Sequence, residues 1–257
     1  MKKGAAQNRI RLWAVLFWIA VWQAGSMALQ AVYPNGHLLL PSPITALLRL
    51  GDLALTAVFW QSIGRSFLRI IGGFLLSCLA ASLLAVPAFR WKWVRELMGP
   101  LVAAIKAVPV ASFIILALFW LNSRSLALFI SFLMVFPPVY LNVLEGIRQT
   151  DGKLLEMARV FRVPLWRQIC GIYIPSVMPY FRTAVSLGLG LCWKAGVAAE
   201  VIGLPAGSVG EQLYNAKVYY MMPDLFAWTA VIVLVSVLFE KLFLHLVDRV
   251  VRKAGVG

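Results

Sequence analysis

The chain has 257 residues, of which 61% are hydrophobic and only 13% charged, with a formal net charge of +14. A soluble domain carries roughly 25% charged residues, so this composition excludes a water-soluble fold, and the apolar runs of about twenty residues have the length that crosses a bilayer. The positive balance does not require nucleic acid, because Lys and Arg accumulate in the cytoplasmic loops of multi-span membrane proteins.

In chain order, residues 1–11 form a basic N-terminal segment, and residues 12–247 read as one transmembrane domain followed by a short tail, 248–257. The first apolar stretch, about Leu12–Val32, is too long for a signal sequence and lacks a small-residue cleavage site, so it is expected to be retained as the first span. Pro41-Ser42-Pro43 followed by ITALLRLGDLAL reads as a helix start and a short interfacial helix. The second span is expected at about Ser66–Ala88, the third at Leu97–Leu121 and the fourth at Ser125–Leu144. Pro109 is placed to break the third, since proline removes a backbone donor and kinks a helix. Pro137 and Pro138 sit in the fourth, where neighbouring helices can re-satisfy the backbone. After a polar island at residues 150–175 comes a fifth span, about Pro179–Ile202. Gly203–Pro223, rich in small residues, is expected to turn tightly and hold a short helix around Glu211–Tyr219. The sixth span is expected at about Leu225–Val247. The fold class is therefore all-α, a polytopic membrane protein of about six helices.

Most of the 24 Lys and Arg residues fall on one side of these spans. Lys2, Lys3, Arg9 and Arg11 lie at the N-terminus, Arg90, Lys92 and Arg95 after the second span, and Arg148, Lys153, Arg159, Arg162, Arg167 and Arg182 in and around the island. Lys241, Arg249, Arg252 and Lys253 lie at the C-terminal end. The imbalance places both termini and the island in the cytoplasm. Cys78, Cys170 and Cys192 are scattered and read as packing residues. His37 and His245 are too far apart for a local metal motif. No metal site and no catalytic set is expected.

The island reads TDGKLLEMARVFRVPLWRQICGIYIP. Asp151 is suited to cap a helix that presents Leu154, Leu155, Ala158 and Phe161 on one face, at helical spacing. Lys153, Glu156 and Arg159 surround that face with charge. Pro164 suits the first turn of a second helix carrying Leu165, Trp166 and Ile169. Two short helices with an apolar tip and a charged rim fit a groove on another protein. The same pattern also suits a hairpin lying on lipid headgroups, and the residues alone leave both readings open.

Glu156-Met157-Ala158, then position 162, then Ile172-x-Ile174-Pro175 resembles the EAA signature of binding-protein-dependent ABC importer permeases, E-A-A, three residues, G, nine residues, I-x-L-P. The spacing fits at every element. Glu156, Ala158, Ile172 and Pro175 match, whereas Met157, Arg162 and Ile174 depart. Arg162 stands where the pattern has glycine, which adopts a positive φ cheaply. Leu40-Pro41-Ser42-Pro43, Ser66-Phe67-Leu68-Arg69 with Gly73-Phe74, Pro109, Phe136-Pro137, Asn142, Gly146, Asp151 and Ala199-Glu200 resemble the nitrate/sulfonate/taurine/bicarbonate branch, in order, over about 220 residues.

The resemblance implies a type I ABC importer permease (MetI-like) fold in the cell membrane, with a second permease subunit completing the pathway as homo- or heterodimer. It implies cytoplasmic ATPase subunits, which would bind ATP and Mg, and an extracytoplasmic substrate-binding protein. The island would be the coupling helix seated on the ATPase, with packing from Leu154, Leu155, Ala158 and Phe161. Glu156 would hold the knob through a nearby cation, or remain a solvated helix charge. Arg162, Pro164 and Pro175 would shape the turn. The chain itself has no G-x-x-x-x-G-K-[ST] phosphate loop, because Gly152-Lys153 lacks the upstream glycine and is followed by leucine.

Charges inside the spans point to the pathway. A lysine at mid-bilayer costs about 2.5–3.5 kcal/mol on insertion scales. The candidate pathway residues are Lys194 with Trp193 before it in the fifth span, Lys106 ahead of Pro109 in the third, and Glu200 near the outer end of the fifth. Either the lysines face a water-filled path suited to a small anion, or they snorkel or pair inside the bundle; for Lys106 the second reading comes first. The competing function is an ion-coupled secondary carrier, against which stand the scarcity of intramembrane carboxylates and the lack of a visible repeat. A membrane-embedded enzyme has no catalytic set to support it.

Overall fold

The computed structural model describes residues 12–33 and 39–253. The N-terminal segment 1–11, His37 and residues 254–257 lie outside the described residues. Every regular element among the described residues is helical: α1 Leu12–Val32, α2 Pro43–Ala54, α3 Ala57–Arg90, α4 Lys92–Ala107, α5 Val110–Ala117, α6 Ser123–Arg148, α7 Gly152–Val160, α8 Leu165–Gln168, a π-helical turn Ile169–Tyr173, α9 Ile174–Gly203, α10 Val209–Val218 and α11 Met222–Lys253. Five helical stretches are long and apolar enough to cross a membrane, or six when α4 and α5 are counted as one broken span.

The departures from the expected spans have local causes. The third span is not straight: α4 and α5 meet at 104°, because Val108, preceding Pro109, takes extended backbone (ψ 131°) and Pro109 starts the next helix. The second span starts nine residues earlier than expected, at Ala57 rather than Ser66. Its polar residues there are helical, and Ser62 is fully buried. The fifth helix runs back through the π-turn to Leu165 rather than starting at Pro179. Pro175 lies just after the π-turn, and Pro179 lies within the next turn of α9; both are carried in the continuous helix.

Contacts divide the chain into two compact units. The first comprises residues 1–59 and 212–230. Within it Ser42 caps α2 by accepting from the Thr45 amide at 3.1 Å, with Pro43 in the first turn. The Trp22 indole donates to the Pro41 carbonyl at 3.1 Å and Ser26 to the Leu40 carbonyl at 2.8 Å, which holds α1 to the entry of α2. Arg49 grips Asp224 with two donors, at 2.6 and 3.1 Å. That fork pushes the guanidinium above its ordinary range.

The second unit comprises residues 60–211 and 231–257. Its dominant pairing is α6 on α9. Ile114, Leu126, Ala127, Ile130, Ala195 and Ala199 form a closed apolar cluster where α5 joins that pair. Small residues set the spacing: a Cβ at Gly196 would lie 2.6 Å from both the Ile70 and Ser131 side chains, and one at Gly73 would strike the Leu128 carbonyl. The Asn142 side chain donates to the Pro138 carbonyl at 2.8 Å, inside the proline-bearing helix. Phe74, fully buried, meets Phe239 and Phe243 of α11 edge-on.

Candidate functional site

The island folds as a capped knob. Asp151 accepts from the Lys153 amide at 2.9 Å and starts α7. The helix ends in a left-handed residue: Arg162 has φ 48°, its amide donates to the Arg159 carbonyl at 3.1 Å, and the Val163 amide reaches the Ala158 carbonyl at 2.8 Å. These paired bonds are the Schellman arrangement, which normally places glycine at the left-handed position. The turn expected of glycine is thus made by arginine, with its carbonyls satisfied. Pro164 then opens α8, and Gln168 donates back to the Val163 carbonyl at 2.7 Å.

The apolar face read from spacing is only partly the exposed one. Ala158 is 1% exposed and forms the seat of the knob rather than its tip. Leu155 is half-buried and Pro175 likewise, whereas Leu154 and Phe161 are exposed. The crest also includes Met157, Val160, Leu165 and Trp166, with Phe161 at 75% and Trp166 at 73% exposure. Met157 and Val160 escaped the sequence reading because it followed the side of α7 that contains Ala158. Glu156 is exposed and has no ion-pair partner among the described residues, so within this chain it stands as the solvated helix charge of the two readings, and the backbone caps hold the knob.

At the other end of α9 the chain encloses a carboxylate. Glu200 is 0% exposed. Ser66 donates to one oxygen at 2.6 Å while its own hydroxyl oxygen accepts from the Val209 amide at 2.9 Å. The Gly210 amide donates to the same Glu200 oxygen at 3.3 Å, and Arg69 reaches the other at 3.4 Å. Glu211 accepts from the Gly207 amide at 2.6 Å and Ser208 caps α10 through the Glu211 amide at 3.0 Å. Glu200 therefore anchors residues 204–210 to α3 from inside the protein. Ser66 and Arg69 were visible in the sequence as family-like residues, but nothing in their spacing paired them with a carboxylate 134 and 131 residues away.

Trp193 and Lys194 point in opposite senses. Trp193 is 4% exposed, with its ring 6.1 Å from Phe67. Lys194 is exposed, as is Lys106 one residue before the end of α4. Neither lysine has a carboxylate within 4.0 Å among the described residues, so of the two structural readings for Lys106 ion pairing is absent, while an exposed lysine that snorkels remains compatible with its position. Lys194 and Glu200 do not meet. Between knob and network, α9 is tied to α11 by Ser186, which donates to Glu240 at 3.2 Å, and by a fork from Arg182 to Asp248 whose second bond is 3.1 Å.

The model of a family described as binding-protein-dependent transport system inner membrane component matches residues 73–255. The chain is 28% identical to the putative aliphatic sulfonates transport permease protein SsuC of Bacillus subtilis, over 90% of this chain and 82% of that protein. It is 29% identical to a probable ABC transporter permease protein of Brucella melitensis, over 84% and 87% of the two chains. It is also 23% identical to the bicarbonate transport system permease protein CmpB of Synechococcus elongatus, over 72% and 66%.

Proposed function

The chain belongs to the family of binding-protein-dependent transport inner membrane components and is a permease subunit of an ABC importer, and from that premise we propose that residues 150–175 are the element through which a cytoplasmic ATPase drives it. Membership carries with it an ATPase partner and a substrate-binding-protein partner in general terms. In the proposal the crest of Leu154, Met157, Phe161, Leu165 and Trp166 enters a groove of the ATPase, which binds ATP and Mg. This chain contributes packing and performs no hydrolysis.

The orientation that follows from the cation imbalance puts the knob and both termini inside. A second permease subunit, identical or related, completes the conduit. Lys194 and Lys106 lie on outward surfaces of a membrane protein without partners among the described residues. A bare lysine against lipid is costly, so we place both on the face that the second subunit closes into a water-filled path. Two exposed cations suit a small anion, and relatives are named for aliphatic sulfonates and for bicarbonate. The cargo proposed is a compact oxyanion or sulfonate delivered by the external receptor. Glu200 and Trp193 serve the framework of that path from behind.

The observation that carries the reading is the crest: large apolar side chains held outward on a rigid, doubly capped knob, at the end of a span. The test is a cysteine introduced by Trp166→Cys in a Cys-free variant of the full chain, probed for crosslinking to the co-expressed ATPase in membranes. A crosslink formed from the cytoplasmic side supports the proposal. Modification of that cysteine from the outside of intact cells refutes it.

A further inference from the structure

Beneath the knob lies a room of about 660 Å³ that the transport reading touches only through Leu165 of the crest. Its walls are three helix ends. Val86 and Arg90 come from the last turn of α3, Val143 from the end of α6, and Ile169 with Tyr173 from the π-turn that joins the knob to α9. Apart from Arg90, every other lining side chain is aliphatic, aromatic, a thioether or the hydroxyl of a single serine. The room is open on one side, and water entering it would face mostly carbon, whereas an ordered water needs about three polar partners. An apolar guest satisfies such walls and water does not.

The position fixes the kind of guest. The walls end where the spans end, beside the polar island, and Arg90 is exposed at the rim. From Val86 to Arg90 is four residues of helix, about 6 Å along its axis. The greasy part of the room therefore begins within one turn of the headgroup layer. Arg90 has no carboxylate within 4.0 Å among the described residues. No acidic residue lines the room. A compact hydrated anion gains nothing from such walls, whereas an acyl chain with a negatively charged head matches both parts. Basic pockets between helices at a membrane face bind anionic lipid heads.

We propose that this room is a binding site for one anionic phospholipid, with its acyl chain between α3, α6 and α9 and its phosphate on Arg90. The inference goes beyond the transport reading and depends on it only for which leaflet supplies the lipid. Because Ile169 and Tyr173 of the π-turn form one wall, the bound lipid braces the joint between knob and α9.

The full-length chain in a non-ionic detergent, titrated with phosphatidylglycerol or phosphatidylcholine, is read by native mass spectrometry and by hydrogen exchange over residues 165–175. One retained phosphatidylglycerol per chain is expected, with slower exchange of that segment. Arg90→Gln should weaken its retention about tenfold, with a smaller effect on the already weaker retention of zwitterionic phosphatidylcholine. Val86→Trp, at a half-exposed lining position, should remove both. Equal retention by wild type and both variants overturns the proposal, as does absence of any retained lipid in the wild type. Displacement of phosphatidylglycerol by a short alkanesulfonate overturns it by reassigning the room to cargo. Disulfide formation between two copies of a Val86→Cys variant overturns it by reassigning the wall to a subunit interface. Each of these outcomes leaves the crosslinking test of the knob unaffected.

Discussion

Truncation of Phe161 tests the reading of the knob most directly, because this side chain is exposed and makes no contribution to the caps. Full burial of a Phe side chain is worth about 1.5–3 kcal/mol. With 75% of its surface open in the free chain, a partner that covers it gains roughly 1–2 kcal/mol from this residue. Since about 1.4 kcal/mol is tenfold in affinity, Phe161→Ala should weaken ATPase docking by about five- to thirtyfold. Trp166→Ala should cost at least as much, because an indole buries more area. The two side chains flank the same turn, so the double variant need not show the product of the two factors. Ala158→Leu is the contrasting perturbation. At 1% exposure the extra methyl groups overpack the seat, costing about 1–3 kcal/mol of stability. The assay is ATPase binding to the permease in nanodiscs by interferometry, alongside thermal unfolding of each variant. Phe161→Ala should lose affinity with an unchanged Tm, and Ala158→Leu should lose Tm. Docking of both truncated variants within twofold of wild type would refute the assignment of the crest.

Three further outcomes follow from the geometry. Arg162→Gly should raise the stability of the chain by about 0.5–1 kcal/mol in thermal unfolding, because a left-handed conformation costs a non-glycine residue roughly 1–2 kcal/mol, of which the looser unfolded chain returns part; a lower Tm would show that the arginine is held there by something other than the turn. Glu200→Ala strands the Ser66 hydroxyl, the Gly210 amide and Arg69, and should cost about 3–5 kcal/mol with faster hydrogen exchange at residues 204–210, whereas Glu200→Gln keeps an acceptor and should lose clearly less. Lys194→Met should reduce uptake of an anionic cargo about tenfold or more by removing a focusing charge, while assembly with the ATPase and basal ATP hydrolysis stay intact; normal uptake would remove Lys194 from the pathway.

Much of the fold was legible because its signals are local. Leu12–Val32 was bounded correctly by apolar length alone, and Ser42 with Pro43 announced α2 through cap chemistry that involves only four consecutive residues. Asp151 and Pro164 did the same for the knob. Proline misled in one place and informed in another: Pro109 marks a real break, whereas Pro179 is absorbed near the start of a continuous helix. The inward turn of Ala158 was not legible, since small apolar residues suit a seat and a tip equally. The Glu200 network was hidden for a different reason. Its donors come from positions 66, 69, 209 and 210, and helical periodicity says nothing about which distant groups a buried carboxylate will find.

The network and the knob acquire a joint meaning through α9. That helix has 30 residues, roughly 45 Å at 1.5 Å per residue, enough to connect the two faces of a membrane. One end emerges from the π-turn beside the knob, and the other holds Glu200 and, through it, residues 204–210. A helix held near one end by the 2.6 Å Ser66–Glu200 bond and toward the other by Arg182 on Asp248 and Ser186 on Glu240 is expected to move as a rod, since bending it would strain one of these ties. The π-turn is the exception. None of its residues is buried, so it is the segment of the rod best able to flex. In the proposed coupling, a push on the crest would divide between rotation of the knob about Ile169–Tyr173 and displacement of the rod. The stiffness of that turn would then set how much of an ATPase stroke reaches the opposite mouth. Substitutions that stiffen it should therefore change the ratio of cargo moved to ATP hydrolysed, with docking affinity unchanged.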